Sequence, residues 1–396
     1  MKMKQILLIF TIISGWILSA GAATVDSVAI EFLVCSPGSE IYELEGHAGL
    51  RIHSPHGDDV TLNWGLFDFD SDNFVYRFVK GETDYMVGAI PTHYFLRHYA
   101  GDGRSVTAHE LNLTPVQKQR IIDAVELNMR PENRVYRYNY VKDNCSTRPL
   151  AMIENAVDDT IMVRLPEGVN LATYREAMTH FHANYPWYQL GIDIALGNGI
   201  DRNQSPRDML FAPALANVML PEATIAGKPL VKQSYYLTGG PESNAVLPPT
   251  PWYLSPMLCM SALLLAAIAV TLTDFRRRTV SRWFDSLFYS LLTIAAVVVT
   301  FLVFFSSHEA TSPNYEMLIF NPLCIIGAIG IWIKRLQSLV FCWQIVNFVA
   351  LILLLIAWTV SAQELNHAVI LLIITDLIRS SSYIFIKCPR KKQVSD

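Results

Sequence analysis

The sequence lacks a strongly basic block outside its apolar regions and carries no excess of positive charge. Its 396 residues contain 31 Lys and Arg against 35 Asp and Glu, so the formal net charge is −4. Proteins that bind nucleic acid usually concentrate Lys and Arg on one face or along one helix. We therefore predict no nucleic-acid partner.

Spacings typical of metal ligands are also missing. His180 and His182 lie two residues apart on a predicted helix, so their side chains face different directions. His53 and His56 have no obvious third ligand, and no zinc spacing occurs in the chain. The sequence thus predicts neither a catalytic metal nor another cofactor.

Cysteine is scarce, and none of the six cysteines follows the predicted N-terminal cleavage site. Lys2 and Lys4 precede the apolar stretch Ile6–Leu18, and the small residues of a cleavage site follow at 20–22. Residues 1–23 are therefore predicted to be a signal peptide, with an uncleaved anchor as the alternative. Either segment exports the residues that follow, and the missing cysteine means that the chain is not itself a lipoprotein.

Residues 24–240 have the mixed pattern of an α+β globular domain. Three short runs rich in β-branched and apolar residues predict strands, and the alternating tyrosines of Val135–Val141 predict another. Thr114 and Thr173 each precede a Gln or Glu by three residues, which predicts two capped helices. The three runs are Val28–Val34, Gly49–His53 and Val60–Trp64.

Apolar residues dominate the rest of the chain. Gly and Pro residues predict a linker at 241–252, and 253–387 contains five apolar runs, each near the length of a membrane-crossing helix. Lys and Arg are absent from the loops 306–316 and 361–367 but occur at 276–278, 334–335 and 387–392. The positive-inside rule places these basic ends, with the tail 388–396, in the cytoplasm. The runs are Tyr253–Thr273, Leu287–Phe305, Met317–Ile333, Leu339–Val360 and Ala368–Ile386.

The strongest local signal for chemistry is the segment Asp143–Pro149. Cys145 follows a predicted strand there and precedes an apolar helical stretch, with Pro149 inside the first helical turn. Free amides and the helix dipole at such a turn favour a thiolate, so Cys145 is a candidate nucleophile. The alternatives are a buried structural cysteine and a disulfide with Cys35, the other cysteine of the exported region.

A thiol nucleophile needs a base, and His47 is the candidate. It begins a predicted strand, and Gly46 and Gly49 on either side allow a backbone or substrate to approach closely. Asn63 on the next predicted strand is placed to orient the imidazole, as in Cys-His-Asn arrangements. A structural histidine and an ordinary polar residue at 63 are the alternatives.

The apolar half contains two further groups of candidate functional residues. The loop Ser307–Tyr315 lies on the exported side of the membrane surface, where His308 and Asn314 are candidates for substrate contact. A plain polar connector is the alternative. Asp376 and Arg379 lie three residues apart in the last apolar run and are predicted to pair on one helix face.

Seven segments carry a family resemblance when taken in order along the chain: Cys35–Gly38, Gly46–Arg51, Asn63–Phe69, Lys80-Gly81 and Asp143–Arg148, with His308–Asn314 and Asn321-Pro322 in the apolar half. They resemble the Bacteroidetes-type lipoprotein N-acyltransferases, and the resemblance covers nearly all residues after the signal. The exported domain is further similar to circularly permuted papain-like folds of the NlpC type, in which the histidine strand precedes the cysteine helix.

The resemblance implies an α+β permuted papain-like periplasmic domain followed by a bundle of five transmembrane helices in the inner membrane. It implies acyl transfer from a membrane phospholipid, through a Cys145 thioester with His47 as base, to the α-amine of a diacylglyceryl-cysteine lipoprotein. Backbone amides near Cys145 to Thr147 are expected to form the oxyanion hole. The expected substrate contacts are Arg51, Asn144, Ser146, Thr147, Arg148, His308 and Asn314.

Two other functions stay open at this point. A papain-like peptidoglycan amidase or peptidase tethered to the membrane would use the same residues, although five spans are more than a tether needs. A non-catalytic membrane scaffold would have Cys35 and Cys145 in a disulfide, and labelling with a thiol reagent would distinguish it from either enzyme.

Overall fold

A computed structural model describes residues 25–55, 57–67, 72–361 and 363–388. The predicted signal peptide and the predicted tail beyond residue 388 lie outside the described residues. The chain forms two compact units: the first takes the described residues up to 67 together with 84–169 and 206–246, and the second takes those of 68–83, 170–205 and the chain after 246. The units therefore differ from the predicted domains, because two segments of 24–240 belong to the same unit as the apolar half.

Nine strands and twelve α-helices make up the described chain. The strands are β1 (Ala29–Cys35), β2 (His47–His53), β3 (Asp59–Leu66), β4 (Asp84–Pro91), β5 (Val106–Leu111), β6 (Val135–Arg137), β7 (Thr224–Ile225), β8 (Lys228–Pro229) and β9 (Val231–Thr238). The helices are α1 (Phe74–Lys80), α2 (Thr92–Gly101), α3 (Pro115–Met129), α4 (Thr147–Val157), α5 (Tyr174–Phe181), α6 (Pro186–Ala195), α7 (Pro213–Met219), α8 (Pro256–Arg277), α9 (Arg282–Phe304), α10 (Cys324–Ile329), α11 (Gln337–Val360) and α12 (His367–Lys387).

The first unit is built on an antiparallel sheet of seven strands in the order β6-β4-β3-β2-β1-β5-β9. In this sheet Cys35 of β1 lies opposite His47 of β2, and Gly49 of β2 lies opposite Asn63 of β3. Directly opposite residues of antiparallel strands share a face, as do residues two apart on one strand. The register therefore brings Cys35, His47 and Asn63 to one face of the sheet.

Helix α2 covers this face with its apolar side. Phe95 and Tyr99, one turn apart on the helix, form a buried cluster with Leu33 and Cys35 of β1 and with two small residues of β5. The spacing of four residues places both rings on the same side of the helix. The cluster fixes α2 beside the strand that carries His47.

The three strands predicted from short apolar runs are confirmed as β1, β2 and β3, and both predicted helix caps are confirmed. The Thr114 hydroxyl accepts the Gln117 amide, and the Gln117 side chain accepts the Thr114 amide. Thr173 and Glu176 make the same reciprocal pair at the start of α5. Such boxes satisfy amides that a helix start leaves free, which explains why the local sequence predicts them well.

The predicted strand Val135–Val141 is only partly confirmed, because β6 ends at Arg137. The side chain of Asn139 accepts the amides of Val141 and Lys142 at 3.2 and 3.1 Å and so turns the chain. Asn often competes in this way with a strand ladder for backbone groups. The turn redirects the chain toward Cys145.

In the second unit, four helices are long and apolar enough to cross a membrane: α8, α9, Lys334–Val360 with α11, and α12. The predicted run Met317–Ile333 is not one long helix, because six residues of α10 lie there between short 3-10 turns. Pro322 lacks an amide hydrogen and disfavours helix in the residue before it. Gly327 also approaches the rings of Tyr289 and Trp343 so closely that an added Cβ would lie within 2.6 Å of both.

The broken segment nevertheless runs from one end of the bundle to the other. At one end, Asn314 hydrogen-bonds to Gln363, just beyond the residues where α9 and α11 end. At the other end, the ring of Trp332 packs on Trp283 at the start of α9, with ring centroids 4.7 Å apart. Residues 315–336 thus traverse the bundle without a long helix.

Charged side chains inside the bundle pair differently from the prediction. Arg379 pairs with Asp274 and Asp285 of other helices at 2.8 and 2.6 Å rather than with Asp376. Asp376 instead accepts hydrogen bonds from Tyr289 and other polar side chains. A spacing of three residues allows a pair, but partners on neighbouring helices offer Arg379 two carboxylates in place of one.

Candidate active site

Cys145 lies in a turn that the side chain of Asn144 holds in place. The amide oxygen of Asn144 accepts the backbone amides of Ser146 and Thr147, both at 2.9 Å, and its nitrogen donates to two carbonyls at 2.8 and 2.9 Å. The Thr147 hydroxyl accepts the Asn144 amide at 2.8 Å. Because Asn144 is buried, these bonds fix the backbone that presents Cys145 just before α4.

The sulfur of Cys145 faces backbone amides. The amides of Ala48, of Cys145 itself and of Ser146 hydrogen-bond to it and lower the pKa of the thiol, but burial has the larger effect and raises that pKa to about 11. Cys145 is therefore a neutral thiol at pH 7, not the thiolate that its place before a helix suggests. Since Ala48 follows His47 in the chain, the sulfur lies beside the backbone of the histidine.

His47 is hydrogen-bonded to Asn63 as the Cys-His-Asn prediction requires. Its Nε2 atom lies 2.6 Å from the amide oxygen of Asn63. That oxygen can only accept, so Nε2 carries the hydrogen and Nδ1 keeps its lone pair. Burial lowers the pKa of His47 to about 4, opposed by the bond to Asn63. The imidazole is thus neutral at pH 7, with Nδ1 as its basic atom.

Cys35 and Tyr99 complete the surroundings of His47, and local sequence patterns did not reveal either role. The ring of Tyr99 stacks on that of His47, with centroids 6.3 Å apart and planes at 16°. Its side chain also hydrogen-bonds to the thiol of Cys35, whose pKa burial raises. Cys35 and Cys145 are both free thiols, so the disulfide alternative does not describe this structure.

A cavity of about 600 Å³ opens beside His47. Gly65 forms part of its wall, and a Cβ added there would lie 3.9 Å from the Cβ of Cys145, so Cys145 lies close to this glycine. Its φ of +88° is a conformation that glycine adopts readily. The cavity is lined by Ser39, Glu40, Tyr42, Glu43, His47, Asn63, Gly65, Leu66, Phe67, Ile90, Phe95, His98, Tyr99, Asp102, Arg104 and Ala245.

The other predicted substrate residues of the first unit already have partners. The Ser146 hydroxyl donates to a backbone carbonyl at 2.5 Å, and Thr147 takes part in the turn described above. Arg148 pairs with Asp143 at 2.5 Å, and Arg51 pairs with two carboxylates at 2.9 and 2.7 Å. These contacts position the chain around Cys145 and β2, and direct contact with substrate stays a prediction.

The predicted loop residues His308 and Asn314 belong to the second unit. His308 hydrogen-bonds to the carbonyl of Phe78 in α1 at 2.8 Å. Asn314 is buried, donates to a carbonyl of α6 at 2.9 Å, and accepts from the Glu316 amide and the Gln363 side chain, both at 3.0 Å. The loop is thus an ordered part of its unit, and its role toward a substrate stays a prediction.

The hydrogen-bonded pair of His47 and Asn63, and the buried thiol of Cys145 at the amide of the residue after His47, define a candidate thiol site on an α+β sheet. Comparison with known families agrees: the model of the Lnb N-terminal periplasmic domain matches residues 19–179, and the model of the Lnb transmembrane domain matches residues 249–391. Together the two models cover most of the chain, which belongs to the Lnb family. The family resemblance seen in the sequence motifs is thereby confirmed, as is an α+β domain followed by a helical membrane region. No curated protein and no solved structure matched the chain.

Proposed function

We propose that this protein is a lipoprotein N-acyltransferase of the inner membrane. It takes an acyl chain from a membrane phospholipid and transfers it to the α-amine of a diacylglyceryl-cysteine lipoprotein. The observation that carries the proposal is the imidazole of His47, oriented by Asn63, together with the Cys145 thiol at the backbone amide of Ala48, the next residue, in a chain with a membrane domain. The periplasm offers no ATP or acyl-CoA, so a membrane phospholipid is the available acyl donor.

The first half-reaction transfers the acyl chain to the enzyme. Because both groups are neutral at rest, Nδ1 of His47 takes the thiol proton as the sulfur of Cys145 attacks the ester carbonyl. The carbon–oxygen bond to glycerol then breaks, His47 returns its proton to that oxygen, and a lysophospholipid leaves. The acyl chain remains on Cys145 as a thioester.

The second half-reaction uses the neutral α-amine of the acceptor. The amine attacks the thioester, His47 takes one of its protons, and the carbon–sulfur bond breaks. The proton returns to the sulfur, so the thiol is regenerated and an amide is formed. The overall reaction needs no oxidant, reductant or metal.

Backbone amides around the sulfur are suited to stabilise the oxyanion in both steps. The sequence predicts amides from Cys145 to Thr147 for this role, but the amides of Ser146 and Thr147 both donate to Asn144. Of the three amides that lower the pKa of the thiol, those of Ala48 and Cys145 are therefore the donors proposed for the oxyanion. Fixed donors at the site of developing charge commonly contribute about 3 kcal/mol each to catalysis.

The proposal is tested with purified full-length protein in phospholipid vesicles that contain a diacylglyceryl lipopeptide. We expect time-dependent N-acylation of the lipopeptide, a matching amount of lysophospholipid, and an acyl adduct on Cys145, each measured by mass spectrometry. Cleavage of peptidoglycan fragments without any acyl transfer would instead support the tethered amidase and contradict the proposal.

The proposed topology places the first unit and the loop 306–316 in the periplasm and the basic ends of the apolar segments in the cytoplasm, with residues 315–336 as a broken fifth crossing. Reporter fusions at Thr250 and Thr311 should give periplasmic signals, and fusions at Arg277 and Lys391 cytoplasmic signals, because Lys and Arg are retained on the cytoplasmic side. A cytoplasmic signal at Thr250 would put Cys145 on the wrong side of the membrane for this substrate.

A further inference from the structure

A buried arginine lies in the wall of the cavity beside His47, and the acyl-transfer steps above do not use it. Arg104 is only 1% exposed. Its Nε donates to the carbonyl of Ser36 at 2.7 Å, its Nη1 lies 2.7 Å from a carboxylate oxygen of Glu43, and its guanidinium lies over the ring of Tyr99, 4.8 Å from the centroid. Within the described chain, Nη2 has no hydrogen-bond partner. A buried donor without a partner is unfavourable by itself, so a further acceptor at Nη2 would stabilise this guanidinium.

Arg104 differs from Arg51 and Arg148, two other arginines of the first unit, because it lines the cavity beside His47. Arg51 and Arg148 pair with carboxylates on the sheet and in the Cys145 turn. Among the described residues that line the cavity, Arg104 is the one Lys or Arg. An anionic group that entered this cavity would therefore find its cationic partner in Arg104.

Negative charge lines the same cavity, but closer to solvent. Glu40 and Asp102 are exposed, Glu43 is half-buried, and Arg104 is buried. The charge thus changes from positive at the buried side of the cavity to negative at its mouth. A ligand that carries a phosphate and, a few bonds away, an ammonium group matches this order.

We propose that this cavity binds the zwitterionic headgroup of the donor lipid, with its phosphate against Arg104 and its ammonium against Glu43 and the neighbouring carboxylates. The inference rests on the proposed function, because it names the class of phospholipid that this thiol site uses. In the resting structure, Glu43 pairs with Nη1 of Arg104 and leaves Nη2 for the phosphate. The ammonium then lies against the carboxylate of Glu43, next to the arginine.

The position of the cavity fits the chemistry of one donor molecule. The headgroup phosphate and the acyl ester of a glycerophospholipid are separated by only a few covalent bonds. Cys145 lies close to Gly65 of the cavity wall, and His47 lines the cavity itself. A headgroup held by Arg104 therefore places the ester of the same lipid next to the reacting pair, which is an orienting effect.

The experiment compares three donors that share the same acyl esters but differ in the headgroup: phosphatidylethanolamine, phosphatidylglycerol and diacylglycerol. Acylation of Cys145 in the full-length protein is followed by intact-protein mass spectrometry. We expect the ethanolamine lipid to acylate Cys145 about tenfold to a hundredfold faster than diacylglycerol, as one charge-assisted contact allows. Arg104→Gln should remove this advantage, so that the ratio of the phosphatidylethanolamine rate to the diacylglycerol rate falls toward one.

Two further variants sharpen the comparison. Glu43→Gln should reduce the rate with phosphatidylethanolamine to that with phosphatidylglycerol, since the latter has no ammonium group. Arg97→Gln is the matched control, because Arg97 is exposed on α2 and does not line the cavity. Its rates should equal those of the unmodified protein with all three donors.

Equal losses with the phospholipids and diacylglycerol in a folded Arg104→Gln protein would show a structural role and overturn the inference. An unchanged phospholipid rate would overturn it too, as would a Glu43→Gln effect on the KM of the lipopeptide acceptor alone. If Arg104→Gln does not fold, Glu43→Gln decides, because an unchanged preference for ethanolamine contradicts the proposal. Acylation of Cys145 that depends on Arg104 but is never passed to a lipopeptide would leave the headgroup inference standing and contradict the proposed function.

Discussion

Cys145→Ser is expected to abolish acyl transfer, with a loss of roughly a thousandfold or more, in a protein that still folds and inserts into the membrane. A serine hydroxyl is far less acidic than a thiol, and the neutral imidazole of His47, whose pKa burial holds at about 4, is a weak base for it. The smaller oxygen also retracts from the three amides that surround the sulfur. The lipopeptide assay and the mass of the acyl adduct measure both half-reactions.

Cys35→Ala is the matched control for this variant. Cys35 is buried on the face of the sheet that carries His47, directly opposite that residue. Its thiol, however, is hydrogen-bonded to Tyr99 and not to the amides around Cys145. We expect a reduction of the rate through repacking beside His47, with thioester formation retained. Near-normal transfer by Cys145→Ser would contradict the assignment of Cys145 as the nucleophile. Loss of thioester formation in a folded Cys35→Ala protein would show that the nucleophile had been assigned to the wrong cysteine.

The structure shows why some parts of this site could be predicted from sequence and others could not. The capping boxes at Thr114 and Thr173 depend on residues within four positions of one another, as do the bonds from the amides of Ser146 and Thr147 to Asn144. Local patterns therefore predict them. The pairing of His47 with Asn63 also follows from two neighbouring predicted strands joined by a short turn.

The remaining features depend on contacts between distant parts of the chain. The amide of Ala48 at the sulfur of Cys145, and the ring of Tyr99 on His47, result from the strand register and the docking of α2. No local pattern marks either contact. The role of Arg104 could not be predicted from the sequence either, because a single arginine before a strand is common. Only its burial and its place in the cavity wall indicate a role.

In the apolar half, hydropathy predicted the number of apolar segments but not their conformation. A window of apolar residues measures transfer into hydrocarbon and does not detect where backbone geometry breaks a helix. Pro322 lies just before α10 and disfavours helix in the residue ahead of it, which separates α10 from the 3-10 turn at Tyr315–Leu318. To predict the polar pairs inside the bundle, one would likewise have to know the relative positions of four different helices.

Arg175→Met is expected to give the largest loss of stability among single substitutions in the polar network of the second unit. Arg175 is buried and pairs with Asp193 at 2.8 Å and with Asp201 at 2.5 Å, and it donates to the carbonyls that begin the next turn. That turn is joined to the loop 308–314, since the Gly197 amide donates to the carbonyl of Ala310 at 2.8 Å. Removing the arginine leaves buried carboxylates uncompensated, which typically costs about 3–5 kcal/mol.

Arg207→Met is the control, because Arg207 makes an equally short bidentate pair, at 2.7 Å to each oxygen of Glu154, but both side chains are partly exposed. Water can solvate Glu154 when its partner is gone, so we expect a loss of only about 1 kcal/mol. In detergent micelles, the melting temperature should fall by roughly 10 °C for Arg175→Met and by a few degrees for Arg207→Met.

The dependence on pH distinguishes uncompensated charge from lost packing at this site. Burial already raises the pKa of Asp201 in the intact protein, opposed by Arg175. Without the arginine, the folded-state pKa of Asp201 rises further above its unfolded value. Such groups destabilise the fold at high pH and are relieved as pH falls through the raised pKa. The deficit of Arg175→Met should therefore shrink as the pH is lowered from 7 to 5, and adding Asp201→Asn should recover part of it at pH 7. A deficit that is independent of pH and unaffected by Asp201→Asn would attribute the loss to packing instead of to charge.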